Sequence, residues 1–280
     1  MGFRAKAFSK ARTGAVSSPK DHPDPPVPNF SITIITKNEA DNIARCLDAL
    51  RGLSDDILVL DSYSEDDTKT LAEAHGARVV QQPWLGYAAS KNLANDRAHH
   101  DWILSIDADE VVSPELADTL RQLDPKPETV YRLDRLTSFC GQWIRHSGWY
   151  PDRKPRLFDK TQVEWQGEFV HETLAIPAHF KVVDLPGKLY HYSYRSHAEH
   201  LARIDRYSTL AAEELFAKGK NPSVLKTWFA PAARFIRTYF IKRGFLDGRM
   251  GCIIAWRNAV MVATKYRKLR WLHYHKRPLR

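Results

Sequence analysis

Four short apolar runs, separated by stretches of helical periodicity, constrain the fold of this chain more than any other feature. The runs are Phe30–Thr36, Ile57–Leu60, Ala77–Gln81 and Trp102–Ile106. Between them, apolar residues recur at the three- and four-residue spacing of amphipathic helices. Strands that alternate with helices of about ten to fifteen residues are typical of an α/β fold. The sequence therefore predicts a mostly parallel sheet flanked by helices.

Polar residues stand where three of these predicted strands end. Thr36 closes the first strand, Asp61 follows the second, and Asp107 follows the fourth. In open α/β sheets, ligands bind beyond the carboxyl ends of the strands. We therefore expect these residues to share one edge of the sheet, although they are far apart in the chain.

The segment Asp107-Ala-Asp-Glu110 carries three carboxylates in four positions. If the strand continues through it, Asp107 and Asp109 point to one side and Ala108 to the other. Neighbouring carboxylates raise each other's pKa, and a divalent cation removes that conflict. The segment alone leaves open a simpler interpretation, a solvated acidic turn before a helix that starts near Ser113-Pro114.

The charge is unevenly distributed along the 280 residues. The net charge is +9, but the first twenty residues carry +5 and residues 226–280 carry +13, which leaves an acidic body between basic ends. We expect a basic, proline-rich disordered leader over 1–28, a catalytic domain over 29–195 and a helical, basic region over 196–280. Nucleic acid is not an expected partner, because no recognised binding motif accompanies the charge.

The last 55 residues interleave aromatic and basic side chains. They predict two basic amphipathic helices that lie on an anionic membrane surface, or alternatively a helical cap with a solvated basic face. No run of about 20 apolar residues predicts a spanning helix, and the N-terminus lacks the apolar core of a secretory signal. Three widely spaced cysteines favour a reducing compartment. We expect a peripheral protein at the cytoplasmic face of the inner membrane.

The motifs together resemble the inverting glycosyltransferases of family 2, which have the GT-A fold with a Rossmann-like sheet. The resemblance rests on Thr36-Lys-Asn-Glu39, Val59 to Asp66, Gly86-Tyr87 with Lys91-Asn92, and Asp107-Ala-Asp-Glu110. Arg156-Leu-Phe158, Trp165-x-Gly167 and Val170-His-Glu172 are similar to the subgroup of lipopolysaccharide-core β-1,4-glucosyltransferases. The resemblance implies transfer of a sugar, glucose first, from a UDP-sugar to a lipid-linked glycan such as inner-core heptose.

The resemblance also implies roles for individual residues. The donor-binding residues would be Thr36, Asn38, Glu39, Asp61, Ser62, Lys91, Asp107 and Ala108. Among them, Glu39 and Asp61 would hold the uridine and Lys91 would face the diphosphate. Mg²⁺ or Mn²⁺ would be held by Asp109, with Asp107 and His191 as further candidates. Asp107 could instead contact the ribose or the donor sugar.

Inversion at the anomeric carbon requires one base to take the acceptor proton. Glu172 is the first candidate and Glu168 the second, while His171 would bind the leaving diphosphate or orient Glu172. Alternatively, His171 and Glu172 only fix a surface loop. Two other functions remain open: a sugar-nucleotide nucleotidyltransferase, and a non-catalytic membrane-bound nucleotide-sugar binder. The nucleotidyltransferase is disfavoured because no glycine-rich phosphate loop follows the first strand.

Overall fold

The computed structural model describes residues 29–167, 172–221 and 224–275, so the expected leader lies outside it. The strands are β1 Ser31–Thr36, β2 Ile57–Asp61, β3 Arg78–Gln81, β4 Trp102–Asp107, β5 Glu110–Val112, β6 Thr129–Phe139, β7 Gln142–Trp143, β8 Asp152–Asp159, β9 Trp165–Gln166, β10 Thr173–Leu174 and β11 Lys181–Tyr194. The α-helices are α1 Ala40–Leu50, α2 Thr68–Ala74, α3 Tyr87–Asp96, α4 Pro114–Arg121, α5 His197–Ala217, α6 Val224–Ile236 and α7 Gly248–His275. The α/β fold is therefore confirmed.

The described strands form one nine-stranded sheet and a separate β9–β10 pair. The order in the large sheet is β3-β2-β1-β4-β8-β6-β11-β5, with β7 paired to β6. Strands β1 to β4 are parallel to their neighbours, as the alternating pattern predicts. Beyond β4 the sheet is mixed: β8 is antiparallel to β4 and β6, whereas β11 is parallel to β6 and antiparallel to β5. This second half brings distant segments beside the end of β4.

Helices cover both faces of the parallel half. On one face, α1 buries Ile43, Leu47 and Leu50 in the main hydrophobic cluster. On the other face, Ala94 of α3 packs with Leu58 of β2 and its neighbours. Strands β1, β2 and β4 are thus buried on two sides, which accounts for their continuous apolar sequences, whereas the edge strand β3 is only partly buried.

The C-terminal helices pack partly onto the sheet. Ile254 of α7 is fully buried against Phe139 and Ile144, which lie at the end of β6 and just beyond β7. Between α6 and α7 the chain forms a π-helical turn, Arg237–Ile241, and a 3-10 turn, Gly244–Asp247. Among the described helices, none combines the length and hydropathy needed to cross a bilayer.

Candidate functional site

The predicted polar cluster forms at the carboxyl edge of the parallel strands. Thr36 pairs with Asp61 in the β1–β2 register, and Ile35 pairs with Asp107 in the β1–β4 register. The three strands therefore end at the same level. The expectation that their terminal polar residues share one edge is confirmed.

The loops after β1 and β2 are joined by hydrogen bonds. The Asn38 N–H donates to Ser64 Oγ at 2.8 Å, and the Glu65 N–H donates to Asn38 Oδ1 at 2.9 Å. Asn38 adopts φ 55°, a left-handed conformation that asparagine tolerates better than most residues. The Ser64 hydroxyl donates to Asp61, and helix α2 begins at Thr68.

Asp61 is fully buried at the base of these loops. Its Oδ1 accepts from Ser64 Oγ at 2.5 Å, and its Oδ2 accepts from the Ser64 N–H at 3.0 Å. Beside it, the hydroxyls of Thr36 and Ser62 are buried and have no hydrogen-bond partner among the described residues. A buried hydroxyl without a partner is unfavourable. A polar ligand at this edge would therefore complete the hydrogen bonding of Thr36 and Ser62.

Glu39 lies between this edge and the Asp107-Ala-Asp-Glu110 segment. Its Oε2 accepts from Asn42 Nδ2 at 2.7 Å. Burial raises the pKa of Glu39, and the charge of Asp109 raises it further, whereas the Asn42 hydrogen bond lowers it. Glu39 and Asp109 are thus close enough to repel each other, which favours a bound cation or a ligand donor between the two elements.

The segment after β4 is a turn, not a continuation of the strand. β4 ends at Asp107, and Ala108 and Asp109 form the turn before β5. The expected strand alternation is therefore wrong beyond Asp107. Ala108 is buried within the main hydrophobic cluster, so its side chain packs in the core and only its backbone can contact a donor.

Asp109 meets His191 from β11. Asp109 Oδ2 lies 3.2 Å from His191 Nε2, and His191 Nδ1 lies 3.2 Å from Thr137 Oγ1. The β11–β5 register, which pairs His191 with Glu110, fixes this contact. Over the described residues, no group of three or more His, Cys, Asp or Glu side chains has the geometry of a metal site. A carboxylate and an imidazole with open positions suit a cation that also binds phosphate oxygens and water.

Asp107 faces two cations. Its Oδ1 lies 3.0 Å from Lys91 Nζ, and its Oδ2 accepts from Arg156 Nη2 at 2.6 Å. Burial would raise the pKa of Asp107, but the charges of Arg156 and Lys91 hold it well below the usual 3.8. Because both oxygens are engaged, Asp107 anchors Lys91 and Arg156, and the geometry favours Asp109 and His191 as the first metal ligands.

A chain of alternating charges continues beneath the site. Arg156 Nη2 also donates to Glu110 Oε1 at 2.6 Å, and Glu110 lies 3.3 Å from Arg135 Nη1. Arg135 in turn donates to Asp152 at 2.7 Å. Arg156 belongs to one of the motifs that carry the family resemblance, but no role was predicted for its side chain. An arginine within the apolar run Arg156-Leu-Phe158 was the available signal for a buried ion pair.

The predicted base, Glu172, lines a cavity of about 550 Å³ beside Asp107. Its lining residues include Tyr87, Lys91, Arg135, Arg153, Lys154, Arg156, Trp165 and Tyr207. Glu172 Oε1 lies 3.6 Å from Lys91 Nζ, so Lys91 bridges Glu172 and Asp107. The other candidates, Glu168 and His171, lie outside the described residues.

Two motifs quoted for the resemblance meet at this cavity. Asn92 Nδ2 donates to the Trp165 carbonyl at 2.9 Å, and the Trp165 N–H donates to Asn92 Oδ1 at 2.9 Å. The Trp165 ring lies 4.6 Å from Lys91 Nζ, and its indole N–H is buried without a partner in the described structure. The Asn92 hydrogen bonds therefore fix Trp165 at the wall of the cavity, with its ring facing the Lys91 ammonium.

Comparisons with known proteins place the chain among sugar-transferring enzymes. The family model described as "Glycosyl transferase family 2" matches residues 31–176. An uncharacterized glycosyltransferase of Rickettsia felis is 34% identical over 242 residues, which cover 80% of this chain and 83% of that protein. The lipopolysaccharide core biosynthesis glycosyltransferase LpsC of Rhizobium meliloti is 26% identical, covering 85% and 93%.

A solved structure of Mycobacterium tuberculosis glucosyl-3-phosphoglycerate synthase, in complex with Mn²⁺, UDP-glucose and phosphoglyceric acid, is also similar. It is 26% identical, covers 39% of this chain and 44% of that chain, and has a TM-score of 0.32. A TM-score this low does not define a shared fold.

Proposed function

Because the chain belongs to glycosyl transferase family 2, we propose that it is a metal-dependent inverting hexosyltransferase. The donor is a UDP-sugar, with UDP-glucose first. The acceptor is a lipid-linked glycan, such as the inner-core heptose of lipopolysaccharide. The similarity to LpsC, whose name gives it a role in the lipopolysaccharide core, supports this acceptor class.

The observation that carries the proposal is the meeting of four distant segments at one sheet edge. Asp61 and the unpartnered Thr36 hydroxyl lie at the ends of neighbouring strands, and Asp109 contacts His191 beside them. Carboxylates accept hydrogen bonds from a base N–H and from ribose hydroxyls. Asp61 and Glu39 are therefore assigned to the uridine, with Thr36, Asn38 and Ser62 as neighbours in the same pocket.

The residues present fit a bound Mg²⁺ or Mn²⁺. Asp109 and His191 would hold it, and the remaining positions suit diphosphate oxygens and water. When bound, such a cation acts as a Lewis acid on the diphosphate leaving group. Zinc fits less well, because structural and catalytic zinc sites use three or four protein ligands.

Glu172 is assigned as the base that takes the proton of the acceptor hydroxyl. The Lys91 ammonium, 3.6 Å from Glu172 Oε1 and 3.0 Å from Asp107 Oδ1, fixes the carboxylate at the wall of the cavity. Lys91 can also turn toward the diphosphate as a mobile point charge. Asp107 accepts a hydrogen bond from the Lys91 ammonium, and Arg156 donates to the other oxygen of the same carboxylate.

The assignment is tested by measuring UDP release from a panel of UDP-sugars, with purified lipid-linked glycans as acceptors. We expect turnover that requires Mg²⁺ or Mn²⁺, is highest with UDP-glucose and rises when the acceptor is added. Full turnover in EDTA, or release of pyrophosphate from UTP in place of UDP release, would refute the proposal.

Membrane attachment through the C-terminal region is part of the same proposal. Trp228, Ile241 and Trp256 are 73%, 69% and 64% exposed, and basic residues lie between them. Large exposed apolar side chains flanked by cations suit a peripheral site at the cytoplasmic face of an anionic membrane. The same region also forms a helical cap on the core, because α7 buries Ile254 there. Membrane contact and packing on the core are therefore compatible roles.

Truncation after Lys226 would remove the buried part of α7 along with the exposed side chains. The sharper test replaces Trp228, Ile241 and Trp256 by serine and measures sedimentation with phosphatidylglycerol vesicles. We expect the triple variant to stay in the supernatant while its UDP release from a soluble donor is unchanged. Undiminished pelleting would contradict the membrane assignment.

A further inference from the structure

A second cavity, of about 410 Å³, lies between the loop after β7 and the C-terminal helices. It is lined by Ser147, Gly148, Trp149, Arg234, Arg237, Thr238, Lys242 and Asn258. Its size is within the usual range of small-molecule sites. We call it the basic recess.

Three cations in the basic recess lack an anionic partner. No carboxylate of the described residues lies within ion-pair distance of Arg234, Arg237 or Lys242. Between residues 226 and 275 the only acidic residue is Asp247. Its carboxylate is occupied by donors from residues 145–147. The recess therefore presents three positive charges to whatever enters it.

The wall opposite these cations is held in a fixed geometry. The Ser147 N–H donates to the Lys242 carbonyl at 2.9 Å, and the Ser147 hydroxyl donates to Asp247 at 2.8 Å. Ser147 and Gly148 both have left-handed backbones, at φ 59° and 80°. The π-helical turn Arg237–Ile241 begins at Arg237 and ends just before Lys242, and such turns are frequent at functional sites.

The basic recess adjoins the proposed catalytic centre. A smaller cavity of about 280 Å³ is lined by His191, the metal-ligand candidate, and by Gly148 and Trp149. Gly148 and Trp149 line the recess as well. Gly148 and Trp149 therefore form a wall shared by the recess and the cavity that His191 lines.

We propose that the basic recess is a second oxyanion subsite, which binds a phosphate group carried by the sugar acceptor. It is distinct from the donor diphosphate position, which is assigned to Asp109, His191 and Lys91. Arginine side chains bind phosphate in a forked geometry, and the volume leaves room for an attached sugar. This inference rests on the proposed transferase function, because only that function supplies an acceptor.

The same cations could meet the phosphate of a membrane lipid, so the test separates the two sources. The full-length protein is first saturated with UDP and Mg²⁺, which fills the donor position. Glucose 6-phosphate is then titrated by calorimetry, and phosphatidate vesicles are tested by sedimentation. We expect the double variant R234Q/R237Q to bind the sugar phosphate at least about tenfold more weakly than the unaltered protein.

The matched control is R267Q/R270Q, which removes the same charge from exposed positions of α7 outside the recess. This control should retain the affinity for glucose 6-phosphate. Equal affinities in both double variants would overturn the proposal. The proposal would also be overturned if the unaltered protein bound no glucose 6-phosphate and R234Q/R237Q lost its binding to phosphatidate vesicles. All four arginines are exposed, so each variant is expected to fold.

A kinetic measurement separates this inference from the transferase assignment. Phosphatase treatment of the lipid-linked acceptor should raise its KM for the unaltered enzyme and leave the KM of R234Q/R237Q unchanged. Acceptor-independent UDP release should be the same in both proteins. Absence of UDP release from every donor would sink the transferase function, whereas the calorimetric result decides the phosphate subsite independently.

Discussion

Replacing Arg156 by glutamine removes the cation that two carboxylates share under the candidate site. Arg156 Nη2 lies 2.6 Å from Asp107 Oδ2 and 2.6 Å from Glu110 Oε1. Its side chain is 4% exposed, and that of Glu110 is fully buried. Removing one partner of a buried ion pair typically costs about 3–5 kcal/mol, because the other charge stays buried. We expect a loss of this size in the free energy of unfolding.

The assay is urea denaturation followed by circular dichroism at neutral pH, with the slope m compared between variants. Arg153→Gln is the matched control, because Arg153 is in the same strand but half exposed, in a surface pair with Asp184. Its effect should be a small fraction of that of Arg156→Gln. Adding Glu110→Gln to Arg156→Gln should recover part of the loss, since it removes a fully buried carboxylate that would otherwise keep only Arg135 as a cation partner among the described residues.

The same variant should change the acid side of the stability curve. In the unaltered protein the depressed pKa of Asp107 contributes stability above pH 3.8, which is lost only as the pH falls through the lower folded value. Without Arg156 the pKa of Asp107 rises toward its unfolded value, so less stability is at stake below pH 3.8 and the acid limb of the variant should be flatter. The argument from the buried ion pairs of Arg156 would be refuted if Arg153→Gln and Arg156→Gln had the same urea midpoint and the same loss of stability at acid pH.

Four further outcomes are expected. Asp109→Asn should lower UDP release by at least about a hundredfold at limiting Mg²⁺ and raise the Mg²⁺ concentration needed for half-maximal rate, and an unchanged metal dependence would argue against direct ligation. Glu172→Gln should lower transfer by about a hundredfold to ten-thousandfold while UDP affinity, measured by calorimetry, stays constant; undiminished transfer would exclude it as the base. Burial and nearby arginines lower the pKa of His200 to about 4 from 6.5, so stability should fall by about 3 kcal/mol as the pH drops from 6.5 to 4. His200→Gln should remove that dependence in urea denaturation series at several pH values, and an unchanged slope would contradict the assignment. Gly187→Ala should cost about 2–5 kcal/mol, because its Cβ would lie 2.4 Å from a neighbouring backbone nitrogen, whereas Gly52→Ala, with open space, should show only the left-handed backbone strain of about 1–2 kcal/mol. Equal thermal shifts for the two glycine variants would refute the steric argument.

The parallel half of the fold was predictable because its signals are local. A strand buried on both faces requires a continuous apolar run, so β1, β2 and β4 could be located from their own residues. Once these strands are parallel, the common level of Thr36, Asp61 and Asp107 follows from sheet geometry. The Asp109–His191 contact could not be predicted from strand patterns alone. His191 was a candidate metal ligand, but nothing in the periodicity placed it beside Asp109.

The mixed half of the sheet and the ion pairs beneath the site depend on contacts between distant segments, which the local sequence pattern does not encode. Arg156 meets its partners across sequence separations of 49 and 46 residues, and nothing near Arg156 identifies them. The turn at Ala108 and Asp109 was only one of two alternatives, because nothing in the local sequence decides between an acidic turn and a strand that continues. Strand β11 was not predicted, since register shifts interrupt its pairing with β6 and most of its residues are exposed or only partly buried.

Strand β11 has a consequence for how the protein is made. It is inserted between β6 and β5, so both remain unpaired along that side until residues 181–194 have left the ribosome. Open strand edges are templates for wrong pairing, and contacts between distant segments form slowly. A nascent chain that stalls before Lys181 should therefore aggregate or require a chaperone. The imidazole of His191 arrives only with that final strand, so the catalytic edge is completed last during biosynthesis.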